Sequence, residues 1–458
     1  MELSIRTMQY LPNEIASSLT YKATRMIRSK KAYAAALVFT TVLGLSYCTK
    51  KDQVINVTPA GETNILLSQK TTTAPTIDGS VDAAWAAATK LEATPEVPNP
   101  GNGLFAGYIA EQYPVTLRSL YDDQNIYFLL EWKDPSNNPV QPWYFNNTTG
   151  RWAQRGNGRT FDVNGNLIKE GMGQDQLGML WNIDHSTSKF PAQTCYASCH
   201  LFSPYKNYAG QWVANASGNH YTNGANEKID MWWCRLSKDL LTNQMDDQYQ
   251  DWAGGPGTTD TVGGSGNGRH ADDLIPPTPF STTYVNTNTA LENGPFNNSQ
   301  TLKLSGNGAS VSVPKWVIPD ASGKWYYTAA DTLAGGAAKK ITRVDSSGVI
   351  YYSGGTIDPR GVSDYYDNSG TGTTVGAKCI PSFISAPYSG GRSDFTAAGI
   401  FSGSGWTLEF TRKLKTSDVL KQDVDFSSLE EQPFGMAIFN SSNYQHGIRP
   451  NLLLQFSK

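Results

Sequence analysis

The chain has 458 residues, enough for one large domain or two to three ordinary ones, with a formal net charge of −3 and 17% charged residues. This balance offers neither a basic surface for nucleic acid nor an acidic tail, so nucleic acid is excluded as a partner. The abundance of Gly (43), Pro (24), Tyr (23) and Trp (12) favours short strands joined by long turns over a bundle of helices.

The N-terminus has the pattern of a secretory signal. Residues 25–31 are basic, and the apolar run that follows, residues 32–45, is too short to span a bilayer comfortably. We therefore expect residues 1–47 to be a signal peptide, and Met26 would begin a signal of ordinary length. An exported chain meets an oxidising compartment.

Residues 45–48, L-S-Y-C, resemble the lipobox of bacterial lipoproteins, in which the cysteine becomes the diacylated first residue. Tyr47 departs from that pattern, which prefers a small residue before the cysteine, so an ordinary exported protein cut nearby stays open. On the first interpretation Cys48 is lipidated and residues 48–65 form a polar tether. The protein is then a periplasmic or outer-membrane lipoprotein of the bacterial cell envelope, held at the membrane by its lipid anchor.

Strand patterns dominate residues 66–458, which we interpret as one domain. Residues 115–132 alternate apolar and polar positions on both sides of a D-D-Q-N turn at 122–125, the pattern of a β-hairpin. The same alternation predicts further strands at 406–414, 434–440 and 451–456.

Helical patterns are few, and two stretches have the composition of loops. Short helical turns are predicted at 82–90 and 237–241. Residues 253–311 and 353–375 are rich in Gly, Ser, Thr and Asn, which predicts long loop insertions. The expected fold is mainly β, a β-sandwich with few short helices.

The stretch T-C-Y-A-S-C-H, residues 194–200, carries the main chemical signal. In a c-type haem site two cysteines form thioether bonds to the haem, and the histidine after the second cysteine ligates the iron. Cys195, Cys199 and His200 have this order, with one residue more between the cysteines than the usual C-x2-C-H.

Three other interpretations of the motif stay open at this point. Zinc would require four nitrogen or sulfur ligands, and the chain has no second paired Cys/His cluster. A Cys195–Cys199 disulfide suits an exported protein. A catalytic cysteine needs a reduced thiolate and a base, which two adjacent cysteines outside the cytosol do not favour.

Several motifs in order resemble the ethylbenzene dehydrogenase-related haem-binding family. The resemblance runs from about residue 76 to 456, interrupted by the two insertions. That family is a β-sandwich of the same broad type as family-9 carbohydrate-binding modules and DOMON domains. The matching stretches are 76–85, 117–135, 175–183, 229–236, 245–249, 380–399, 406–416 and 423–426.

The resemblance implies one covalently attached haem c. Some members of the family bind haem b through a methionine at the place of T-C-Y-A-S-C-H and a lysine near the C-terminus, whereas others carry a C-x3-C-H motif. This chain resembles the second kind, so Cys195 and Cys199 are expected to tether the haem and His200 to ligate its iron.

The sixth iron ligand is expected to be His446, because it falls at the late lysine position of the family, on a loop between two strands. His220, soon after the motif, is the next candidate. Three methionines, which lie in apolar runs typical of core packing, follow: Met179, Met231 and Met436.

Three tryptophans are expected to wall the haem pocket: Trp181, Trp232 and Trp233. Buried core tryptophans would give the same pattern. The family often has W-H-W where this chain has Trp232-Trp233-Cys234, so a histidine near the haem is missing here.

The remaining cysteines and two acidic doublets complete the candidate sites. With Cys48 lipidated and the motif holding haem, Cys234 and Cys379 are left, and an even remainder in an oxidising compartment predicts one disulfide. The doublets Asp246-Asp247 and Asp272-Asp273 have the chemistry of calcium ligands, but solvated loop charges are the favoured interpretation.

The predicted function is an exported monohaem c-type cytochrome that transfers electrons to or from a redox partner protein. No catalytic carboxylate pair, nucleophile with its base, or phosphate loop stands out, so the chain is not expected to be an enzyme by itself. Two alternatives stay open. They are the haem subunit of a molybdenum-dependent oxidoreductase complex and a carbohydrate-binding surface lipoprotein without haem on the same fold.

Overall fold

The computed structural model describes residues 63–99, 105–137, 141–154, 173–198, 221–222, 224, 226–251, 268–275, 294–306, 308–319, 326–360 and 380–457. It also describes the backbone of short strands at 160–161, 167–169, 205–206, 212–213 and 285–286. Among the helices of this part of the chain, none is long and apolar enough to cross a membrane.

Strands make up most of the regular structure. In chain order, β1 to β29 are Ile65–Lys70, Leu91–Ala93, Val115–Tyr121, Asn125–Lys133, Trp143–Asn146, Arg151–Gln154, Thr160–Phe161, Leu167–Lys169, Gln176–Asn182, Tyr205–Lys206, Trp212–Val213, Ile229–Arg235, Asp246–Gln250, Arg269–Ala271, Leu274–Ile275, Val285–Asn286, Phe296–Asn297, Gln300–Ser305, Ser310–Val313, Trp316–Val317, Tyr327–Thr328, Lys339–Asp345, Ile350–Tyr352, Gly355–Ile357, Phe383–Ser385, Thr396–Phe401, Gly405–Lys413, Gln432–Phe439 and Gly447–Phe456.

The helices are single turns. The α-helical turns are α1 (Phe190–Gln193) and α2 (Leu236–Asp239), and the 3-10 turns are Ala83–Ala87, Ile183–His185, Thr194–Ala197, Leu240–Thr242, Ala329–Thr332 and Gly390–Ser393. Three of these turns overlap the short helices predicted at 82–90 and 237–241: Ala83–Ala87, Leu236–Asp239 and Leu240–Thr242. The first begins where Asp82 accepts a 2.8 Å hydrogen bond from the N–H of Ala84.

The predicted hairpin at 115–132 is confirmed as β3 and β4. Its turn is held by Asp122, whose Oδ1 accepts hydrogen bonds from the N–H groups of Gln124 (2.8 Å) and Asn125 (2.7 Å). This arrangement lets a short polar side chain replace a backbone acceptor, which explains why Asp-rich sequences favour turns. The three C-terminal strands are confirmed as β27, β28 and β29.

One long sheet folds over itself to form the core. Its hydrogen-bonded order is β14-β13-β12-β9-β28-β29-β1-β3-β4-β27-β26, with β2 paired to β3. Trp232 of β12 nevertheless packs on Phe128 of β4 and on Phe410 of β27, with ring centroids 5.6 and 6.1 Å apart. Strands that are far apart in the sheet therefore face each other across one apolar core, which is the predicted β-sandwich.

A smaller sheet forms outside the main one, in the order β19-β18-β22-β23-β24 with β20 paired to β22. Its apolar side chains, among them Leu304 and Val313, share a second cluster with Trp143 and Trp152 of the β5–β6 hairpin. The predicted loop at 253–311 therefore contains β18 and the first residues of β19, and the predicted loop at 353–375 contains β24. Their alternating apolar residues form strands because the tryptophans supply a surface that local composition does not reveal.

Candidate functional site

Side chains of β9, β12 and β28 alternate between two faces of the main sheet. One face points into the main core. The other, which we call the outer face, carries a separate small cluster that includes Cys195. The cross-strand register places on the core face Met179, Trp232 and Met436, and on the outer face Leu180, Met231 and Gly435.

The first half of the cysteine motif packs on the outer face. After α1, Thr194 takes a positive φ of 42° and begins the 3-10 turn that contains Cys195. The Thr194 hydroxyl accepts a 3.0 Å hydrogen bond from the N–H of Asn451 in β29. This bond ties the turn to the sheet and leaves Cys195 buried against Leu180 and Met231.

Five predicted site residues lie outside the described residues: Cys48, Cys199, His200, His220 and Cys379. Lipidation, the second thioether, the first iron ligand, the alternative sixth ligand and the disulfide partner therefore stay predictions. The structure describes the part of the candidate site that lies on the main sheet.

His446 lies on the connection between β28 and β29, where the sequence predicted it. Its ring stacks on Phe439, with centroids 4.4 Å apart and an interplanar angle of 26°. Its Nδ1 lies 2.9 Å from the carbonyl oxygen of Tyr444, which can only accept, so Nδ1 carries the proton. Burial lowers the pKa of His446, and Nε2 is left with its lone pair.

Cys195 and His446 are brought to the same side of β28. Gly435 contacts the Cys195 thiol, and Phe439, on which His446 stacks, lies four residues further on the same face. At about 3.3 Å per residue the two positions are about 13 Å apart along the strand. The outer face between them presents small residues, Ala437 and its β9 neighbour Gly178.

This arrangement fits a haem on three counts. A cysteine lies at one end, and an imidazole with an unprotonated Nε2 lies at the other. The side chains between them on the described part of the outer face, Ala437 and Gly178, are small. The backbone carbonyl of Tyr444 fixes the tautomer and orientation of His446, as a partner of a metal-binding histidine does.

The structure divides the three tryptophans between the two faces, which differs from the prediction that all three wall one pocket. Trp181 and Trp232 are fully buried in the main core with ring centroids 4.6 Å apart. Trp233 lies on the outer face with Cys195. The reason is the two-residue period of a strand, which sends consecutive side chains to opposite sides.

Trp233 is connected to the loop that holds His446. Its Nε1 donates a 2.9 Å hydrogen bond to Oε1 of Gln176, whose Nε2 donates a 2.6 Å bond to the carbonyl of Ser442. The ring also lies between the guanidinium groups of Arg235 and Arg269, 4.5 and 3.9 Å from its centroid. Sequence reasoning missed Gln176, although its alternation with Leu177 would have placed it on the face opposite the core.

The three methionine candidates also separate. Met179 and Met436 are buried in the main core, which confirms the core-packing interpretation for both. Met231 lies on the outer face near Cys195, and its sulfur accepts a 3.5 Å hydrogen bond from Gln250.

Cys234 points into the main core and is a fully buried free thiol. Burial raises its pKa well above the usual value. Because Cys379 is outside the described residues, the disulfide stays a prediction, and it requires the partner's sulfur to enter the core.

The acidic doublets are not solvated loop charges, and that interpretation is wrong for three of their four residues. Asp246 and Asp247 belong to β13 and are fully buried, and Asp272 is almost completely buried after β14. Asp246 is paired with Arg392 at 2.6 Å. Folding of β13 against the sandwich, which local polarity does not predict, explains their burial.

A comparison with curated proteins gave no match. Two solved structures are similar to the chain, both of a carbohydrate binding module family 9 from Caldicellulosiruptor kristjanssonii, one in complex with cellotriose and one with glucose. Each shares 8% sequence identity with a TM-score of 0.25. The alignments cover 86% of this chain and 93% and 95% of the modules.

A family comparison matched most of the chain. The family described as ethylbenzene dehydrogenase matches residues 82–450, which include the sheet strands from β2 to β28, the cysteine motif and His446. This chain therefore belongs to the ethylbenzene dehydrogenase family.

Proposed function

We propose that the chain is an exported c-type cytochrome that carries one covalently attached haem and transfers electrons at the bacterial cell envelope. The observation that carries the proposal is the placement of Cys195 and His446 on one face of β28, separated by small residues. Family membership adds an oxidoreductase context. The signal and lipobox patterns of the sequence support export and an anchor at Cys48.

The proposed haem site uses residues from two parts of the chain. Cys195 and Cys199 would hold the haem through thioethers, and His200 and His446 would ligate its iron. When bound, haem c accepts and releases single electrons with little rearrangement. The protein's part is to fix the ligands: the Tyr444 carbonyl orients His446, and the Gln176–Ser442 bond holds its loop to the sheet.

Electron transfer rather than catalysis follows from the ligand set. His200 and His446 would together hold the haem iron, which would leave a substrate no position to bind at it. Electrons would enter and leave through the haem edge to a redox partner protein.

A role as the haem subunit of a molybdenum-dependent oxidoreductase complex is a second candidate, which family membership favours. It uses the same haem site and differs only in having a permanent partner. Co-purification from the native host with a larger subunit would favour it. A carbohydrate-binding role is less supported, because no tryptophan in the described part of the chain is exposed for stacking on a sugar.

Covalent attachment is the first test. The full chain, expressed with a cytochrome c maturation system, should show haem staining after denaturing electrophoresis and resist acid–acetone extraction. The double variant Cys195→Ala/Cys199→Ala should lose the stain. Cys234→Ala is the matched control and should keep it, because Cys234 faces the main core. Haem that is extracted from the unmodified chain, or is absent from it, would contradict the proposal.

A further inference from the structure

Four buried carboxylates converge at one edge of the sandwich, away from the cysteine motif. Asp230 and Asp247 lie on the adjacent strands β12 and β13, Asp272 follows β14, and Asp423 comes from the segment between β27 and β28. We call these four residues the acidic cluster. One oxygen from each of Asp230, Asp247 and Asp423 lies within 4.8 Å of the others.

Within the described part of the chain, most of the cluster's oxygens have no hydrogen-bond donor. Both carboxylate oxygens of Asp247 and of Asp272 lack one, although these side chains are almost completely buried. One oxygen each of Asp230 and Asp423 also lacks a donor. Buried polar atoms are almost always hydrogen-bonded, because losing water without a replacement costs about 1–3 kcal/mol, and more for a charge. Six such oxygens in one place point to a missing positive ligand.

The described side chains supply too little positive charge. Arg412 is fully buried, with Nη1 3.0 Å from Asp230 and 3.6 Å from Asp247. Its Nη2 donates to the carbonyl of Val424 rather than to the cluster. Asp394 lies beside Asp423 and Lys228 near Asp272, so the carboxyl groups here still outnumber the cations. Burial and mutual repulsion accordingly raise the pKa values of Asp247 and Asp272.

We propose that the acidic cluster binds one calcium ion. Carboxylate oxygens are hard ligands, which select calcium or magnesium over zinc or copper. Calcium accepts six to eight oxygens at about 2.3–2.6 Å, so ligands on opposite sides lie about 4.6–5.2 Å apart, whereas magnesium requires about 4.0–4.2 Å and keeps several waters. The abundance of free carboxylate oxygens favours calcium, which takes more protein oxygens than magnesium does.

A cleft borders the acidic cluster at Asp423. This cleft of about 210 Å³ is lined by Asp423 together with Thr416, Asp418 and Asp425. A bound ion would connect β12 and β13 to the segment after β27 and to the turn after β14. The role is therefore structural: calcium holds the edge of the sandwich together. The proposed calcium site does not depend on the haem site.

Calcium binding to the full-length protein tests the proposal. After treatment with EDTA and removal of the chelator, titration calorimetry should find one calcium site, and calcium should raise the melting temperature. Asp247→Asn should weaken binding at least tenfold. In EDTA the same variant should melt higher than the unmodified protein, because one repelling carboxylate has been removed. If Asp247 had only a packing role, Asp247→Asn would show no such reversal.

Asp425→Asn is the matched control, since Asp425 lines the same cleft but pairs with Lys415 at 2.8 Å. It should leave calcium affinity unchanged. If Asp247→Asn does not fold, Asp272→Asn makes the same test. Absence of a calcium effect on melting together with no calorimetric site would overturn the proposal. So would magnesium binding as tightly as calcium. The haem absorption spectrum should not change in any of these experiments.

Discussion

The thiol of Cys195 packs directly against the α-carbon of Gly435. A β-carbon built on Gly435 would lie less than 3.0 Å from Cys195 Sγ, closer than real β-carbons approach other atoms. The absence of a side chain in β28 is thus what allows the motif to rest on the sheet, with its thiol facing the strip that leads to His446.

Gly435→Ala should displace the turn that carries Cys195. Overpacking of this kind costs about 1–3 kcal/mol, and we expect that loss in urea unfolding together with a reduced yield of covalently attached haem. Gly178→Ala is the control, because its β-carbon would meet only Ala437 Cβ, at 3.8 Å, among the described residues. Equal stability of the two variants would contradict the tight contact.

His446→Ala should convert the iron from low spin to high spin and allow carbon monoxide to bind the ferrous protein. The unmodified protein should be low-spin in the ferric state, without the methionine–iron band in the red. His185→Ala is the matched control, since His185 is exposed beside Glu430. A low-spin spectrum that survives in His446→Ala would exclude His446 as the ligand and direct attention to His220 and Met231.

Trp233→Phe and Trp181→Phe should behave differently, because the two rings lie on opposite faces of the sheet. Loss of the Trp233 Nε1–H group leaves Gln176 Oε1 without its donor, so we expect a shifted haem spectrum. Trp181→Phe removes volume from the main core and should lower the free energy of unfolding by about 1–3 kcal/mol with an unchanged haem spectrum. Haem spectra shifted equally in the two variants would contradict the placement of Trp181 and Trp233 on opposite faces of the sheet.

Stability should fall as the pH rises from about 4 to about 7. Burial, and repulsion from Asp134, raise the pKa of Asp175 from 3.8 to about 7. The folded state therefore binds this proton more tightly than the unfolded state, and linkage makes unfolding easier as pH increases through that window, then constant above it. Urea unfolding in EDTA at several pH values measures the slope.

Asp175→Asn should make that slope shallower, and the remainder should come from Asp247 and Asp272, whose pKa values burial also raises. Asp358→Asn, at an exposed pair with Arg360, serves as control. Stability that rises with pH between 4 and 7 in EDTA would contradict the assignment for both groups.

Mass spectrometry of non-reduced peptides should find Cys234 joined to Cys379. Such a bridge would stabilise the fold by about 2–4 kcal/mol where its geometry is unstrained. If instead Cys234 and Cys379 both react with a thiol-labelling reagent, and only after unfolding, they are not joined. Cys234 is then a buried core thiol, as it is in the described structure.

The local patterns of the sequence were sufficient for the hairpin at 115–132, the C-terminal strands and the position of His446 between two of them. Strand periodicity and turn residues such as Asp122 act over a few residues, so they can be recognised in the sequence without knowledge of the fold. The family resemblance extended this to the sandwich as a whole.

What only the tertiary structure decided is which side chains meet. Trp232 and Trp233 are neighbours in sequence, but they lie on opposite faces of β12. The main core covers the face that carries Trp232. Asp230, Asp272 and Asp423 are distant in sequence and read as ordinary polar residues, yet folding of the sheet buries them together. Contacts of that kind depend on strand order and on which face is covered, and both are set by long-range packing that no local pattern contains.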